Sequence, residues 1–393
     1  LDLGNTPLAN SLLDEDKLTQ PERQYPLHVY LCEQCYLVQL SDDVPPEEIF
    51  RDYLYFSSYS DTWLAHVKDF TSLAIERFDI SQDSLVVEIA SNDGYLLQYF
   101  LQAGVPVLGI EPARNVAQVA QESGINTLTE FFNAGLARRL VDEGKVANLL
   151  VANNVLAHVP DLNDFIAGLK IVLHPQGVLS IEFPHLLNLL KQRQFDTIYH
   201  EHYSYFSLIA ISAVLRKHGL EIFDCSELAT HGGSLRIYVC HEEADRPVGS
   251  KVAEILAHEM DYGIREPETY LEFARQVANI RQELRDFLNS CKQQGQTVAA
   301  YGAAAKGNTL LNYCAVGSDL ISFVADRSPH KQGKYLPGSH IPVCEPQRIS
   351  TDRPDYVLIL PWNLKDEIID SMQDVRSWGG RFVIPVPQLE ILP

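Results

Sequence analysis

Val86-Val87-Glu88-Ile89-Ala90-Ser91-Asn92-Asp93-Gly94-Tyr95-Leu96 runs from an apolar strand, through a turn of small and polar residues, into a helix. This opening decides the fold, because the segments around it repeat the same rhythm. Short apolar runs at Leu85–Ala90, Val107–Ile110, Ala147–Ala152 and Gly177–Phe183 alternate with stretches of helical period. That alternation predicts a parallel sheet with helices on its faces. A second opening follows near the C-terminus. There Thr297–Tyr301, Leu320–Ala325 and Tyr356–Leu360 read as strands and Lys306–Tyr313 as a helix. Between the two openings, Leu235–Cys240 reads as a strand and residues 267–292 as one long helix. In that helix Phe273, Val277, Ile280, Leu284, Phe287 and Leu288 fall on a single stripe. Residues 1–80 are loop-rich, broken by Pro7, Pro21, Pro26, Pro45 and Pro46, and end in a helix-like stretch over 61–79. The expected fold class is α/β, with two α/β domains joined by a helical segment.

Composition narrows the function. The chain has 393 residues, with 31 Lys and Arg against 52 Asp and Glu, a net charge of −21. At roughly 150 residues per domain, the length predicts two or three domains. An apolar share of 46% supplies enough buried surface to offset chain entropy, which excludes a disordered chain. The acid excess argues against a nucleic-acid partner, since phosphate contacts need Lys and Arg in excess. No apolar run approaches the ~18–20 residues of a membrane helix. The first residues, LDLGNTPLANSLLDEDK, lack the basic-then-apolar pattern of a secretory signal. The cysteines are Cys32, Cys35, Cys225, Cys240, Cys291, Cys314 and Cys344, an odd and scattered set unlike a secreted disulfide framework. A cytoplasmic location is expected.

The turn at 90–94 has a chemical reading. Class I methyltransferases use such a turn to bring backbone close to S-adenosylmethionine (SAM), with an acid at the strand end supporting the amino-acid end of the cofactor. Glu88 takes that acidic position, Ala90, Ser91 and Asn92 form the turn, and Gly94 allows close approach. Further on, Leu108-Gly109-Ile110-Glu111-Pro112 ends a second strand with an acid that can accept hydrogen bonds from both ribose hydroxyls. NAD-binding domains share this arrangement, so an oxidoreductase stays open. Against it, the full G-x-G-x-x-G pattern is missing, and Asp93 puts negative charge where a pyrophosphate would sit. A third probable strand end, Asn153-Asn154-Val155-Leu156-Ala157-His158, brings Asn154 and His158 to the same crevice, beyond the carboxyl ends of the strands.

A proton-handling cluster follows at Tyr199-His200-Glu201-His202-Tyr203-Ser204-Tyr205. His200 and His202 are two apart, whereas helical zinc motifs space histidines by four; a strand would put both on one face, so metal binding stays open. An aromatic-rich surface segment is the plain alternative. The catalytic reading is proton abstraction beside a carbonyl. A neutral His accepts a carbon-bound proton near pH 7, a Glu orients it, and a Tyr hydroxyl donates to the developing enolate oxygen.

The chain resembles the SAM-dependent C-methyltransferases of nucleotide sugars, the C-3′ enzymes of deoxysugar biosynthesis of the tetronitrose type. The resemblance spans nearly the whole chain and rests on LGNTPLANSLL at 3–13, LCEQCYLVQL at 31–40, YLYFSSYSDTW at 53–63 and EIASNDGYLL at 88–97. It continues through TIYHEHYSYFS at 197–207, HGGSLRIYV at 231–239, YGAAAKGNTLLNYC at 301–314, KQGKYLPGSHIPV at 331–343 and LPWNLKDEI at 360–368. It implies a small zinc-binding-type N-terminal domain (1–60), a central Rossmann-like class I SAM methyltransferase domain (61–230) and a C-terminal α/β domain holding the nucleotide sugar (231–393). It implies His202 as base, Tyr199 and Glu201 as its partners, and His158 and Tyr53 facing the reacting sugar. Glu88, Ala90, Ser91, Asn92, Gly94, Glu111, Pro112 and Asn154 would hold SAM. Ser234, Arg236, Tyr301, Lys306, Gly307, Asn308 and Thr309 would contact sugar or nucleotide, with Lys306 a phosphate partner beside a helix start.

The related zinc sites use two Cys-x-x-Cys pairs, and only Cys32 and Cys35 are present. Two thiols cannot complete a four-ligand site, and the expectation is that the sequence lacks N-terminal residues carrying the first pair. The expected partner is a nucleoside diphosphate 4-keto-deoxysugar, with no nucleic acid and no membrane. Rival expectations are an NAD-dependent nucleotide-sugar oxidoreductase or epimerase, O- or N-methylation of the same sugar, and a non-catalytic nucleotide-sugar-binding protein.

Overall fold

The computed structural model describes residues 1–41, 44, 45, 49 and 56–393. They form two compact units that are not contiguous in sequence. One comprises Leu31–His185 and Tyr203–Arg265, the other Leu1–Tyr30, Leu186–His202 and Glu266–Pro393. Strand pairing and packing, not chain order, decide which segments cohere in these units.

The first unit is built on a seven-stranded sheet. In spatial order its strands are Thr127–Leu128, Val107–Ile110, Val86–Ile89, Ala147–Asn153, Leu173–Pro184, Ser234–His241 and Leu220–Leu228. The first five run parallel; Ser234–His241 is antiparallel to both of its neighbours, so Leu220–Leu228 runs in the direction of the first five. Strand order reverses between Val86–Ile89 and Ala147–Asn153, which makes the crevice beyond their carboxyl ends the topological switch point. The central strands are buried on both faces, so they read as continuous apolar runs: every residue of Val86–Ile89 is buried. Helices cover the sheet through residues such as Leu136, Leu140, Ile166, Leu169 and Leu215, packed against Val87, Leu108 and Leu150 in one core cluster. Ser234–His241, grouped by sequence with the C-terminal segment, instead hydrogen-bonds in register with Leu173–Pro184.

The second unit carries a six-stranded sheet in the order Val343–Cys344, Val324–Ala325, Val298–Tyr301, Tyr356–Ile359, Arg381–Ile384 and Glu390–Leu392. All but the last are parallel. The expected strand Leu320–Ala325 shrinks to Val324–Ala325, because Leu320 and Ile321 N–H groups close a turn onto the Gly317 carbonyl. The long helix Pro267–Gln293 starts with Pro at its first position, where a missing N–H costs nothing. It buries Phe273, Val277, Ile280, Leu284 and Leu288 along the expected stripe. Phe287 lies at the margin, edge-on to Tyr356 at 5.1 Å. Among the described residues, no helix is long and apolar enough to cross a membrane.

Candidate active site

The turn after Val86–Ile89 is held in a conformation few sequences adopt. Ala90, Asn92 and Gly94 have φ of 56°, 49° and 81°, in the left-handed region, and Asn154 across the switch point has φ 52°. Local bonds sustain this geometry. Asn92 N–H donates to Glu111 Oε2 at 2.9 Å, and Ala113 N–H to Glu111 Oε1 at 2.8 Å. Pro112 between them has no N–H, so the carboxylate reaches the next donor. Glu111 thus ties the turn to the neighbouring strand end while each oxygen keeps a second lone pair. Its burial pushes the carboxyl up to about 7, against the two main-chain bonds that favour ionisation.

A set of buried polar atoms faces the same region without partners among the described residues. They are Ser91 Oγ, Asp93 Oδ1 and Asn154 Oδ1; the Glu88 carboxyl and the Asn153 amide share the Tyr95 hydroxyl as their neighbour. Buried polar groups are almost always paired, so a concentration at one switch point marks a place for a polar ligand. Glu88 is fully buried. Burial pushes its carboxyl well above the ordinary range, and the Asp93 and Glu111 charges add to the effect. The Tyr95 hydroxyl lies against Glu88 and Asn153. Ser57 N–H donates to Asn92 Oδ1 at 3.0 Å, and Ser58 N–H and Oγ donate to Asp93 Oδ2 at 3.1 and 2.5 Å, pinning the segment before helix Asp61–Arg77 onto the turn. These donors and acceptors fit the hydroxyls, amine and carboxylate of a SAM molecule.

Gly94 is also tightly packed. A Cβ there would meet Ile125 Cδ1 at 2.2 Å and Ala120 Cβ at 3.4 Å, so its missing side chain admits protein packing. Gly109 likewise admits protein packing, since a Cβ there would meet Ser91 Oγ at 2.5 Å. Of the remaining residues of this unit, His158 ends a short helical turn, Leu156–His158, half-buried. Tyr53 lies outside the described residues. Cys32 and Cys35 are both half-buried free thiols, and the described residues contain no group of three or more metal-ligating side chains. The two thiols do not make up a closed zinc site.

Ser234 and Arg236 make their side-chain contacts inside the fold. Ser234 is fully buried, its hydroxyl donating to Thr230 O at 3.0 Å. Arg236, 4% exposed, pairs through Nη2 with Glu182 and lies over the Phe70 ring at 4.2 Å. His66 Nε2 stands 3.0 Å from Glu182 Oε2, and Thr230 Oγ1 donates to Glu182 Oε1 at 2.9 Å. Burial works against the ionised Glu182, but the bond to His66 and the Arg236 charge outweigh it and hold the carboxyl at about 2. Arg236 is therefore consumed by a buried ion pair. Its strand position looked like any inward or outward residue, and only the partner across the sheet revealed which.

In the second unit, His202 Nδ1 lies 2.8 Å from the Thr197 carbonyl. A carbonyl only accepts, so Nδ1 carries a proton, and in the neutral ring the lone pair then lies on Nε2. Tyr199 stacks on the imidazole, with centroids 4.1 Å apart. The orienting acceptor is thus a main-chain oxygen, where the sequence suggested the Glu201 carboxylate. Glu201 accepts from Asn10 Nδ2 at 2.6 Å, and burial pushes its carboxyl up to about 7 against that bond. His200 is buried, with Nε2 3.2 Å from Pro26 O. Neither Asn10 nor Thr197 stood out in the sequence; Thr197 acts through an atom every residue has.

The segment 301–309 is mostly internal. Tyr301 is buried with its hydroxyl near Arg327, and a Cβ on Gly307 would meet Leu360 Cβ at 2.7 Å, so this glycine seats its helix on a strand end. Asn308 and Thr309 are buried too. Lys306 Nζ donates to Asn363 Oδ1 at 2.6 Å and stands 4.6 Å from the Trp362 ring centroid. Burial lowers its pKa, opposed by the Asp196 charge. The expected phosphate lysine is already engaged inside its own unit.

Family models match as "Putative zinc binding domain" over residues 1–50, "Methyltransferase domain" over 63–224 and "C-methyltransferase C-terminal domain" over 229–387. The chain is 38% identical over 389 residues to C-methyltransferase NovU of Streptomyces niveus, covering 99% of this chain and 93% of that one. It is 27% identical over 128 residues to a ubiquinone biosynthesis O-methyltransferase of Bartonella bacilliformis, covering 31% of this chain and 52% of that one. Among solved structures, a magnesium protoporphyrin IX methyltransferase from Synechocystis with bound SAH matches at TM-score 0.37 and 17% identity, over 45% of this chain and 83% of the other.

Proposed function

The chain belongs to the SAM-dependent C-methyltransferases, and on that premise we propose that it methylates a carbon, C-3′, of a 4-keto-deoxysugar linked to a nucleoside diphosphate. SAM, when bound, supplies an electrophilic methyl group. Glu111 accepts the ribose hydroxyls, and Glu88, Asn153 and Asn154 hold the amino-acid end. The 4-keto group acidifies the neighbouring C–H, and His202 Nε2 removes that proton. Tyr199 donates to the enolate oxygen as charge develops there, and the enolate carbon takes the methyl. Glu201 supports the loop through Asn10. His158 and Tyr53 position the ketone.

The observation that carries this reading is the Nδ1 bond to the Thr197 carbonyl, which leaves the lone pair of a neutral imidazole on Nε2. A base for a carbon acid must hold that lone pair before the proton arrives. His202→Ala in the full chain tests it, with a panel of nucleoside diphosphate 4-keto-deoxyhexoses in deuterium oxide. Loss of both C-3′ deuterium exchange and methylation, by about 10²–10⁴-fold, is expected. Normal exchange and methylation in the variant would overturn the assignment, and mass analysis of the product separates C- from O- or N-methylation.

A further inference from the structure

The turn that presents the Thr197 carbonyl is itself fastened by a side chain with no role so far. Asp196, fully buried, accepts from Trp362 Nε1 at 2.7 Å. Trp362 follows the strand Tyr356–Ile359, and the helix Ala305–Tyr313 with Lys306 follows Val298–Tyr301. These strands flank the reversal of order in the six-stranded sheet, so both partners come from its switch point. The Lys306 charge acts on the same carboxylate. The turn has further ties. Thr197 Oγ1 donates to Gln194 O at 2.7 Å, Ile198 N–H to Phe195 O at 3.0 Å, and buried Phe195 sits edge-on to Tyr313 at 5.4 Å. Thr197 O is one peptide from the Asp196 side chain and accepts His202 Nδ1.

We propose that Asp196 is a positioning residue for methyl transfer: docked on Trp362 beside Lys306, it fixes the Thr197 carbonyl and thereby the tautomer and aim of the His202 ring. This rests on the reading of His202 as base. A side-chain partner for Nδ1 would have done the same through a charge. A main-chain partner needs its peptide held, and a buried carboxyl fastened to an indole N–H holds it. Burial pushes the Asp196 carboxyl up to about 6, opposed by the Lys306 charge and the Trp362 bond.

The tautomer can be read without substrate. In the full chain with S-adenosylhomocysteine, ¹⁵N shifts of the His202 ring should report the Nδ1–H form in the wild type and in Asp196→Asn, whose side-chain oxygen still accepts from Trp362. Asp196→Ala and Trp362→Phe should admit the Nε2–H form. With the same 4-keto-deoxyhexose panel, kcat should fall about 10- to 100-fold in those two while KM for SAM stays within about twofold. Trp362→Phe keeps a buried ring and so serves if Asp196→Ala fails to fold. A His202 ring that keeps its wild-type tautomer in Trp362→Phe overturns the inference. A ring that changes tautomer while methylation is unaffected keeps Asp196 as the positioning group and overturns His202 as base.

Discussion

At the scale of single residues, the decisive feature is how carboxylates are set by what surrounds them. Glu182 and Glu111 both end strands of one sheet, yet one is held at about 2 and the other raised to about 7. Both are buried, which raises each; only Glu182 gains a full positive partner. Glu111 answers to main-chain dipoles alone, and these do not offset burial. A function follows from the sign. Ribose hydroxyls donate hydrogen bonds, so the ligand prefers the ionised carboxylate. SAM affinity should be full above pH 7 and weaken as pH falls through about 7, up to about tenfold per unit. Calorimetry from pH 6 to 8 checks this, and Glu111→Gln should flatten the profile. A wild-type profile already flat across that range would mean Glu111 does not meet the ribose.

At the scale of elements, turns rather than helices carry the chemistry, and glycines show why they fit. Gly94 combines φ 81° with a neighbour 2.2 Å from where a Cβ would stand. Gly94→Ala should destabilise the fold by about 1–3 kcal/mol through overpacking, with the left-handed backbone adding to it. The contact is with Ile125, so Ile125→Ala should relieve part of the cost in the double variant, a coupling that denaturant titration of the four proteins measures. SAM affinity in the double variant should match the wild type within about twofold. A large loss of affinity with stability restored would return Gly94 to the role of cofactor contact that its sequence position suggested. The turn at 195–197 makes the complementary point: on the proposed mechanism its catalytic value lies in a carbonyl, and its rigidity in a side chain one residue earlier.

At the scale of the whole molecule, two α/β units are each assembled from separated stretches of chain, and each sheet has its own switch point. The first unit's crevice is lined by unpaired acceptors and carboxylates, suited to a ligand with hydroxyls, an amine and a sulfonium and unsuited to a pyrophosphate. SAM at a hundred times its Kd should therefore add about 2.7 kcal/mol to the stability of the protein, while NAD at the same concentration adds none. Differential scanning calorimetry with each ligand decides it, and stabilisation by NAD alone would point to the oxidoreductase reading.

The amino-acid sequence by itself determined the order of strands and turns, because hydrophobic period and turn chemistry are local and survive without neighbours. It also placed Glu88, Glu111 and Asn154 at strand ends, where parallel sheets bind ligands. Tertiary structure alone decided which charges are spent. Arg236 reads as a cation for a diphosphate until Glu182 appears beside it on the next strand, and Lys306 reads the same way until Asp196, Trp362 and Asn363 surround it. It alone showed that Ser234–His241 belongs to the central sheet, since pairing joins residues far apart in the chain. And it alone supplied the partner of His202 Nδ1, because a backbone carbonyl leaves no signature in the identity of its residue.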